Sequence, residues 1–214
     1  MKCLSTKATS IKPSGIRRFF DLASTMEGVI SLGVGEPDFA TPWHICENAI
    51  HYMSTGHTHY TANRGLIEHR EEICKFHKEH YKQIYDPENE VIVTIGGSEA
   101  IDLSMRALLN PGDEVIVLDP NYVAYAPSVT LSDGIVIPLQ LKEENDFKII
   151  PEDLKKVITP KTKAMIINYP SNPTGGVMTK EDYAKIVDII KESGIYVVRD
   201  EIYAELSFDQ PFAS

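Results

Sequence analysis

The stretch KAMIINYPSNPTGG (163–176) decides the fold, because it joins an apolar strand to a polar turn. Its first half is a short apolar run without alternation, which is typical of a strand that is covered on both faces. Its second half consists mostly of Asn, Pro, Ser, Thr and Gly, which favour turns. In open α/β sheets, ligands bind beyond the carboxyl ends of the strands. This stretch therefore predicts a buried parallel strand and a place to look for a site.

Similar strands and helices alternate along the rest of the chain. Five strands are predicted, at 90–95 (EVIVTI), 114–119 (EVIVLD), 135–140 (IVIPLQ), 163–169 (KAMIINY) and 195–203 (IYVVRDEIY). Helices are predicted at 66–81, after GGSEA (96–100), at 122–131, at 151–158 and at 179–193. In the last helix, Thr179 and Asp182 have the spacing of a capping box, and Gly194 stands where a helix usually ends. The alternation predicts an α/β fold, a three-layer, mostly parallel sheet with helices on both faces.

The composition is that of an ordinary globular protein with an acidic surplus. The 214 residues include 21 Lys and Arg against 31 Asp and Glu, a net charge of −10. Nucleic-acid binders usually carry a basic surplus, so this class is disfavoured. Three scattered cysteines without a CxxC pair do not suggest a disulfide framework. No signal-peptide run or membrane-spanning stretch is recognisable, and a cytoplasmic location is predicted.

Polar and aromatic residues follow four of the predicted strands. They are Gly96, Gly97, Ser98 and Glu99 after the first, Tyr122 after the second, Asn172 after the fourth, and Asp200 and Tyr203 at the fifth. Each has a plain structural explanation as well: a glycine turn with a capping serine, half-buried aromatics, or a strand-end charge facing water. Taken alone, the glycine turn is a weak signal of anion binding.

Several other kinds of site lack their sequence signatures. There is no GxxxxGK[ST] loop and no GxGxxG, which disfavours a nucleotide-binding protein. There is also no HExxH, no zinc-type Cys/His spacing and no G-x-S-x-G nucleophile elbow. No metal site is predicted.

Six motifs together resemble one family. In order they are SLGVGEPDF (31–39), YTANRG (60–65), GGSEA (96–100), DPNYVAY (119–125), NYPSNPTGG (168–176) and VVRDEIY (197–203). This order and spacing resembles that of class I/II aminotransferases of pyridoxal 5′-phosphate (PLP) fold type I. The resemblance covers the chain from Ile11 onward and is strongest to the aspartate/aromatic aminotransferase branch.

The resemblance implies roles around the cofactor ring. Asp200 would pair with the pyridine nitrogen and keep it protonated, and Asp200 and Tyr203 would be the catalytic residues present in the chain. Tyr203 and Asn172 would hydrogen-bond the phenolic oxygen, Asn172 also lying beside the substrate. Tyr122 would stack on the ring.

The resemblance also implies roles around the phosphate and the substrate. Gly97, Ser98 and Glu99 would hold the phosphate, mainly through backbone N–H groups. Gly35 would line the place of the substrate carboxylate. Tyr60 would reach the phosphate of the partner subunit, so the enzyme would be a homodimer with shared sites.

The domain organisation and activity follow from the same resemblance. Residues 1–35 would be an N-terminal arm or a segment of the small domain, and 36–214 the PLP-binding large domain, incomplete at its C-terminus. The expected reaction moves an amino group from an aspartate- or aromatic-type amino acid to a 2-oxo acid such as 2-oxoglutarate.

One departure from the family pattern concerns the lysine that holds the cofactor as a Schiff base. The residues after Asp200 are EIYAELSFDQPFAS (201–214), without any lysine. These 214 residues alone are therefore expected to be inactive. The alternative is a non-catalytic PLP-fold remnant that acts in binding or dimerisation.

A last expectation concerns the backbone. The peptide bonds matching Asp119–Pro120 and Asn172–Pro173 are often cis in the resembled family. X–Pro bonds are the ones for which cis is inexpensive. A cis bond is predicted at one or both positions.

Overall fold

A computed structural model describes residues 2–11, 15–30, 35, 39–208 and 212–213. The chain forms two compact units, one of Met1–Ile11 with Thr94–Ser214 and the other of Lys12–Val93. The predicted boundary at residue 35, between an arm and the large domain, stays a prediction.

The elements in chain order are α1 (Thr6–Ser10), α2 (Ile16–Ser24), α3 (Trp43–Ser54), α4 (Ile67–Tyr81), α5 (Gly97–Leu108), β1 (Glu114–Asp119), α6 (Tyr125–Leu131), β2 (Ile135–Gln140), α7 (Pro151–Val157), β3 (Thr162–Asn168), α8 (Lys180–Ser193) and β4 (Tyr196–Asp200). Short 3₁₀ turns at Glu143–Asn145 and Ala204–Leu206 complete the described structure. Among the described residues, no helix is both long and apolar enough to cross a membrane.

The larger unit contains a four-stranded sheet in the order β2-β1-β3-β4, with every neighbouring pair parallel. The two central strands are almost fully buried, whereas β2 and β4 lie at the edges and are partly exposed. Unbroken apolar runs are expected for central strands that are covered on both faces. The predicted α/β class and parallel sheet are confirmed.

Alternate side chains of β1 point into two separate cores. Val115 and Val117 pack in a cluster with residues of α5 and α6. Ile116 and Leu118 pack in a second cluster with residues of α7 and α8. Successive side chains of a strand point to opposite faces of the sheet. The helices therefore cover both faces, and the three-layer arrangement is confirmed.

The predicted strand at 90–95 is wrong in the described structure, because no strand is assigned there. A strand requires a hydrogen-bonded partner, and composition alone does not supply one. The N–H of Val93 donates instead to the carbonyl of Arg64, in a loop. Gly65 lies beside it with φ +90°, and a Cβ at Gly65 would come within 2.7 Å of Val93 Cγ2. This close approach requires glycine.

The last predicted strand is shorter than expected. β4 ends at Asp200, and Ile202 and Tyr203 belong to a turn rather than to the predicted 195–203 strand. The N–H of Ile202 donates to Asp200 Oδ1 (3.2 Å), so the aspartate side chain takes up a backbone group where the strand ends. Asp side chains commonly stabilise such turns.

The helix signals at α8 are confirmed at both ends. Thr179 and Asp182 form a reciprocal capping box, and Gly194 ends the helix in the left-handed region with φ +66°. Lys148 pairs with Asp182 at 2.9 Å and connects the start of this helix to the segment that precedes α7.

Both predicted cis peptide bonds are present, at Asp119–Pro120 and Asn172–Pro173. A third, at Tyr169–Pro170, was not expected. All three lie in the segments that follow β1 and β3, at the carboxyl edge of the sheet.

Candidate active site

Asp200 is the last residue of β4, and both of its carboxylate oxygens accept hydrogen bonds. Oδ2 accepts from the phenol of Tyr125 at 2.8 Å, and Oδ1 accepts from the N–H of Ile202. The residue is partly buried at the carboxyl edge of the sheet. Since a carboxylate can accept about four hydrogen bonds, acceptor capacity remains for a ligand.

Tyr125, the first residue of α6, was not predicted as a site residue. Its side chain is 2% exposed and packs in the core cluster between the sheet and α5 and α6. Burial, followed by the hydrogen bond to the Asp200 carboxylate, raises the pKa of the Tyr125 phenol well above its usual value. The phenol is therefore protonated and donates. Its one sequence signal is its position three residues after Tyr122, which places both on one side of a helical turn.

Asn172 and Tyr203 are brought together as predicted, Asn172 Nδ2 lying 3.4 Å from Tyr203 Oη. Their separation in the chain is 31 residues, so this pair depends on the fold. Asn168, at the end of β3, supports both parts of the site and was missed by sequence reasoning. Its Oδ1 accepts from the N–H of Asn172 (3.0 Å), and its Nδ2 donates to the Asp200 carbonyl (2.8 Å).

The glycine turn leads directly into α5. Gly96 has φ +81°, and a Cβ there or at Gly97 would meet no atom within 4 Å. This leaves open space beside the first N–H groups of a 12-residue helix, where anions bind favourably. Glu99 uses its carboxylate to accept from the N–H of Ile95, which stabilises the turn.

Two tyrosines connect the glycine turn to the aspartate. Ser98 Oγ lies 3.2 Å from Tyr122 Oη, and the rings of Tyr122 and Tyr125 meet edge to face with centroids 5.6 Å apart. The phenol of Tyr125 then donates to Asp200. An open glycine turn, an aromatic pair and a carboxylate thus belong to one contact network at one edge of the sheet.

Two predicted site residues lie in the other unit. Tyr60 is fully exposed, and Gly35 is exposed with its sequence neighbours 31–34 and 36–38 outside the described residues. The roles of Gly35 and Tyr60 stay predictions.

Comparison with known proteins decides the family. The family model described as aminotransferase class I and II matches residues 27–214. The chain belongs to the class I and II aminotransferases. Enzymes of this family are PLP-dependent, use amino acids and 2-oxo acids, and are typically dimeric.

Individual relatives agree with this family. The chain is 49% identical to the YugH protein of Bacillus subtilis over 211 residues, which is 99% of this chain and 55% of that protein. It is 41% identical to aromatic-amino-acid aminotransferase 2 of Thermococcus litoralis, covering 96% of this chain and 53% of the relative. The structure of Thermus thermophilus aspartate aminotransferase with maleate superposes with a TM-score of 0.93 at 36% sequence identity. The match covers 100% of this chain and 57% of that structure's chain. The chain spans about half the length of the relatives it matches.

The described residues suit PLP, the cofactor of this family. PLP has a basic ring nitrogen, a phenolic oxygen, a flat ring and a phosphate. Asp200 offers an anionic partner for the nitrogen, and Asn172 and Tyr203 offer a paired amide and phenol for the oxygen. The open glycine turn at the start of α5 offers N–H groups for the phosphate. The donor set therefore fits the cofactor.

Proposed function

We propose that the protein is an aspartate- or aromatic-type aminotransferase, which moves an amino group from an amino acid to a 2-oxo acid such as 2-oxoglutarate. The observation that carries the proposal is the Asp200 carboxylate, which is held at both oxygens in a network that also includes the open glycine turn at the start of α5.

Asp200 has the central chemical role in this proposal. Bound PLP supplies a protonated aromatic ring that accepts the electron pair left when an amino acid loses its α-proton. The carboxylate of Asp200 holds the proton on the ring nitrogen, because an adjacent negative charge favours the protonated form. Tyr203 and Asn172 donate toward the phenolic oxygen, and Asn172 also lies beside the substrate.

The remaining residues orient the cofactor. Tyr122 supplies a flat surface for the ring, and Gly97, Ser98 and Glu99 present the start of α5 to the phosphate. Glu99 contributes through its backbone, since its carboxylate accepts the N–H of Ile95. Gly35 is proposed to line the place of the substrate carboxylate.

The test is transamination by the natural full-length protein. Aspartate or phenylalanine is supplied with 2-oxoglutarate and PLP, and glutamate formation is followed. Asp200→Ala should reduce turnover by about a hundredfold or more, since it removes a preorganised charge at the reacting centre. Asp188→Ala is the matched control, because Asp188 is exposed on α8, outside the network. Near-normal turnover of Asp200→Ala would refute the assignment.

A polypeptide of these 214 residues is proposed to be inactive by itself. Residues 201–214 contain no lysine, whereas the resembled family has its cofactor lysine after this strand. A polypeptide of these 214 residues, given PLP, aspartate and 2-oxoglutarate, should form no glutamate beyond the level with free PLP. Turnover near 1 s⁻¹, an ordinary enzymatic rate, would show that the active site is complete without that lysine.

We propose that the assembly is a homodimer in which Tyr60 reaches the phosphate of the partner subunit. The complete exposure of Tyr60 is compatible with a contact to another chain. Sedimentation equilibrium of the natural protein gives the subunit number. PLP affinity of Tyr60→Phe, compared with wild type, then measures the hydroxyl contribution.

A further inference from the structure

We infer that Tyr125 is a positioning residue, which aims the Asp200 carboxylate at the ring nitrogen of the cofactor. The inference rests on the proposed function, because it concerns the same site. It adds a residue that touches neither substrate nor cofactor in the proposed arrangement and acts through Asp200.

The position of Asp200 in the fold explains why it needs such a partner. It is the last residue of an edge strand, and the chain leaves the sheet directly after it. Asn168 fixes its main chain through a hydrogen bond to the Asp200 carbonyl. This bond does not reach the side chain, whose Oδ1 accepts a longer hydrogen bond from the N–H of Ile202 (3.2 Å). Water competes for the other oxygen of a partly exposed carboxylate at a sheet edge.

Tyr125 is buried, whereas Asp200 is partly exposed. Its ring is enclosed in the core cluster with residues that include Val117, Val129 and Ile166. Enclosure at native packing density fixes the ring and therefore the position of its hydroxyl. The 2.8 Å bond to Oδ2 transfers this rigidity to the carboxylate.

The direction of the hydrogen bond is also determined. Burial raises the pKa of the Tyr125 phenol, so the group stays protonated and can only donate to the carboxylate. Tyr125 therefore donates to Oδ2 and favours the orientation of Asp200 that the proposed function requires.

The test measures preference for a ring nitrogen rather than activity. The first probe is pyridoxine 5′-phosphate, which has no aldehyde and cannot react with surface lysines. The second is its analogue in which the ring nitrogen is replaced by C–H. The dissociation constants of both are measured by calorimetry for wild type and for Tyr125→Phe. The ratio of the two constants reports the contact between Asp200 and the nitrogen.

Tyr169→Phe provides the matched control. Tyr169 is also 2% exposed, its phenol donates to the carbonyl of Phe147 at 2.7 Å, and burial raises its pKa as well. Both substitutions remove one buried phenolic hydrogen bond, but only Tyr125 contacts Asp200. Replacing Tyr125 by para-aminophenylalanine restores a donor on the same ring and serves as the rescue.

Wild type should prefer the nitrogen-containing probe, and Tyr125→Phe should lose about tenfold of that preference, as expected for a hydrogen bond to a charged group. Tyr169→Phe and the para-amino variant should keep it. If Tyr125→Phe keeps the preference within twofold, or Tyr169→Phe loses as much, the inference fails while the proposed function stands. If wild type binds neither probe, or both equally, the proposed role of Asp200 fails, and the inference fails with it.

Discussion

Asp182 shows how burial and hydrogen bonding compete at a single residue. Its side chain is 12% exposed, and Lys148 and Lys185 lie 2.9 and 3.0 Å from its carboxylate oxygens. Burial acts to raise its pKa, but hydrogen bonds from both lysines and from the N–H of Thr179 outweigh burial and hold the pKa far below its usual range. The charged carboxylate therefore stabilises the folded state.

Asp182→Asn should destabilise the protein by about 2 kcal/mol at pH 7, because it leaves the lysines without their shared anion. Because the folded pKa is depressed, the contribution of Asp182 is fully present above its unfolded pKa of about 3.9. It is lost as the pH falls from there toward the folded pKa. Denaturant unfolding should thus show the full difference in free energy of unfolding between wild type and Asp182→Asn at about pH 6–7. This difference should narrow below about pH 4.

The control for this prediction is Asp153→Asn. Asp153 also pairs with a lysine, Lys156 at 2.7 Å, but its side chain is 30% exposed and that of Lys156 is 71% exposed. Exposed ion pairs contribute little to stability, so Asp153→Asn should cause no measurable change in the free energy of unfolding. If Asp182→Asn and Asp153→Asn lowered the free energy of unfolding equally, burial at Asp182 would not be the reason for its larger contribution.

The residues of the candidate site differ in how well sequence predicted them. Tyr122, Asn172 and Tyr203 follow strands and Asp200 ends one, and the structure brings them into contacts at the carboxyl edge of the sheet, as the sheet rule suggests. Ser98 joins them through Tyr122, although the strand predicted before it is absent from the described structure. Tyr125 and Asn168 were missed because one looks like a core aromatic and the other like the end of an apolar strand. Their roles depend on which neighbour each polar atom meets, and only three-dimensional structure provides this information.

Among the elements, α8 was predicted best because its signals are local. The capping box and the terminal glycine act within one turn of the helix, so sequence spacing is sufficient to recognise them. The segment 90–95 has equally strong β-forming residues but is not a strand. Strand formation depends on a partner elsewhere in the chain, which residue types alone do not reveal.

Gly194 allows a direct test of the end of α8. Gly194→Ala should lower the free energy of unfolding by about 1 kcal/mol, since φ of +66° is unfavourable for a residue with a Cβ. Open space around the Cβ position excludes a steric clash as the cause. Gly194→Asn should lower the free energy of unfolding less than Gly194→Ala does, because asparagine tolerates the left-handed region. Chemical denaturation ranks the variants, with Glu192→Ala as control. An alanine variant as stable as wild type would contradict this account.

At the scale of the whole molecule, alternating burial along β1 explains the layered architecture. Each face of the sheet has its own cluster of buried residues, and both clusters include residues of β1 and β3. Six ordered motifs were enough to predict the family, which the match over residues 27–214 confirms. The two-unit division was beyond sequence reasoning, since it depends on which segments pack together.

The central claim is that Asp200 faces the ring nitrogen of PLP while the start of α5 holds the phosphate. A crystal structure of the protein with bound PLP tests this claim most directly. In that structure the ring nitrogen should lie within hydrogen-bond distance of the Asp200 carboxylate, the phosphate should lie beside Gly97 and Ser98, and Tyr125 should still donate to Asp200. A cofactor bound elsewhere, or bound with its phosphate toward Asp200, would contradict it.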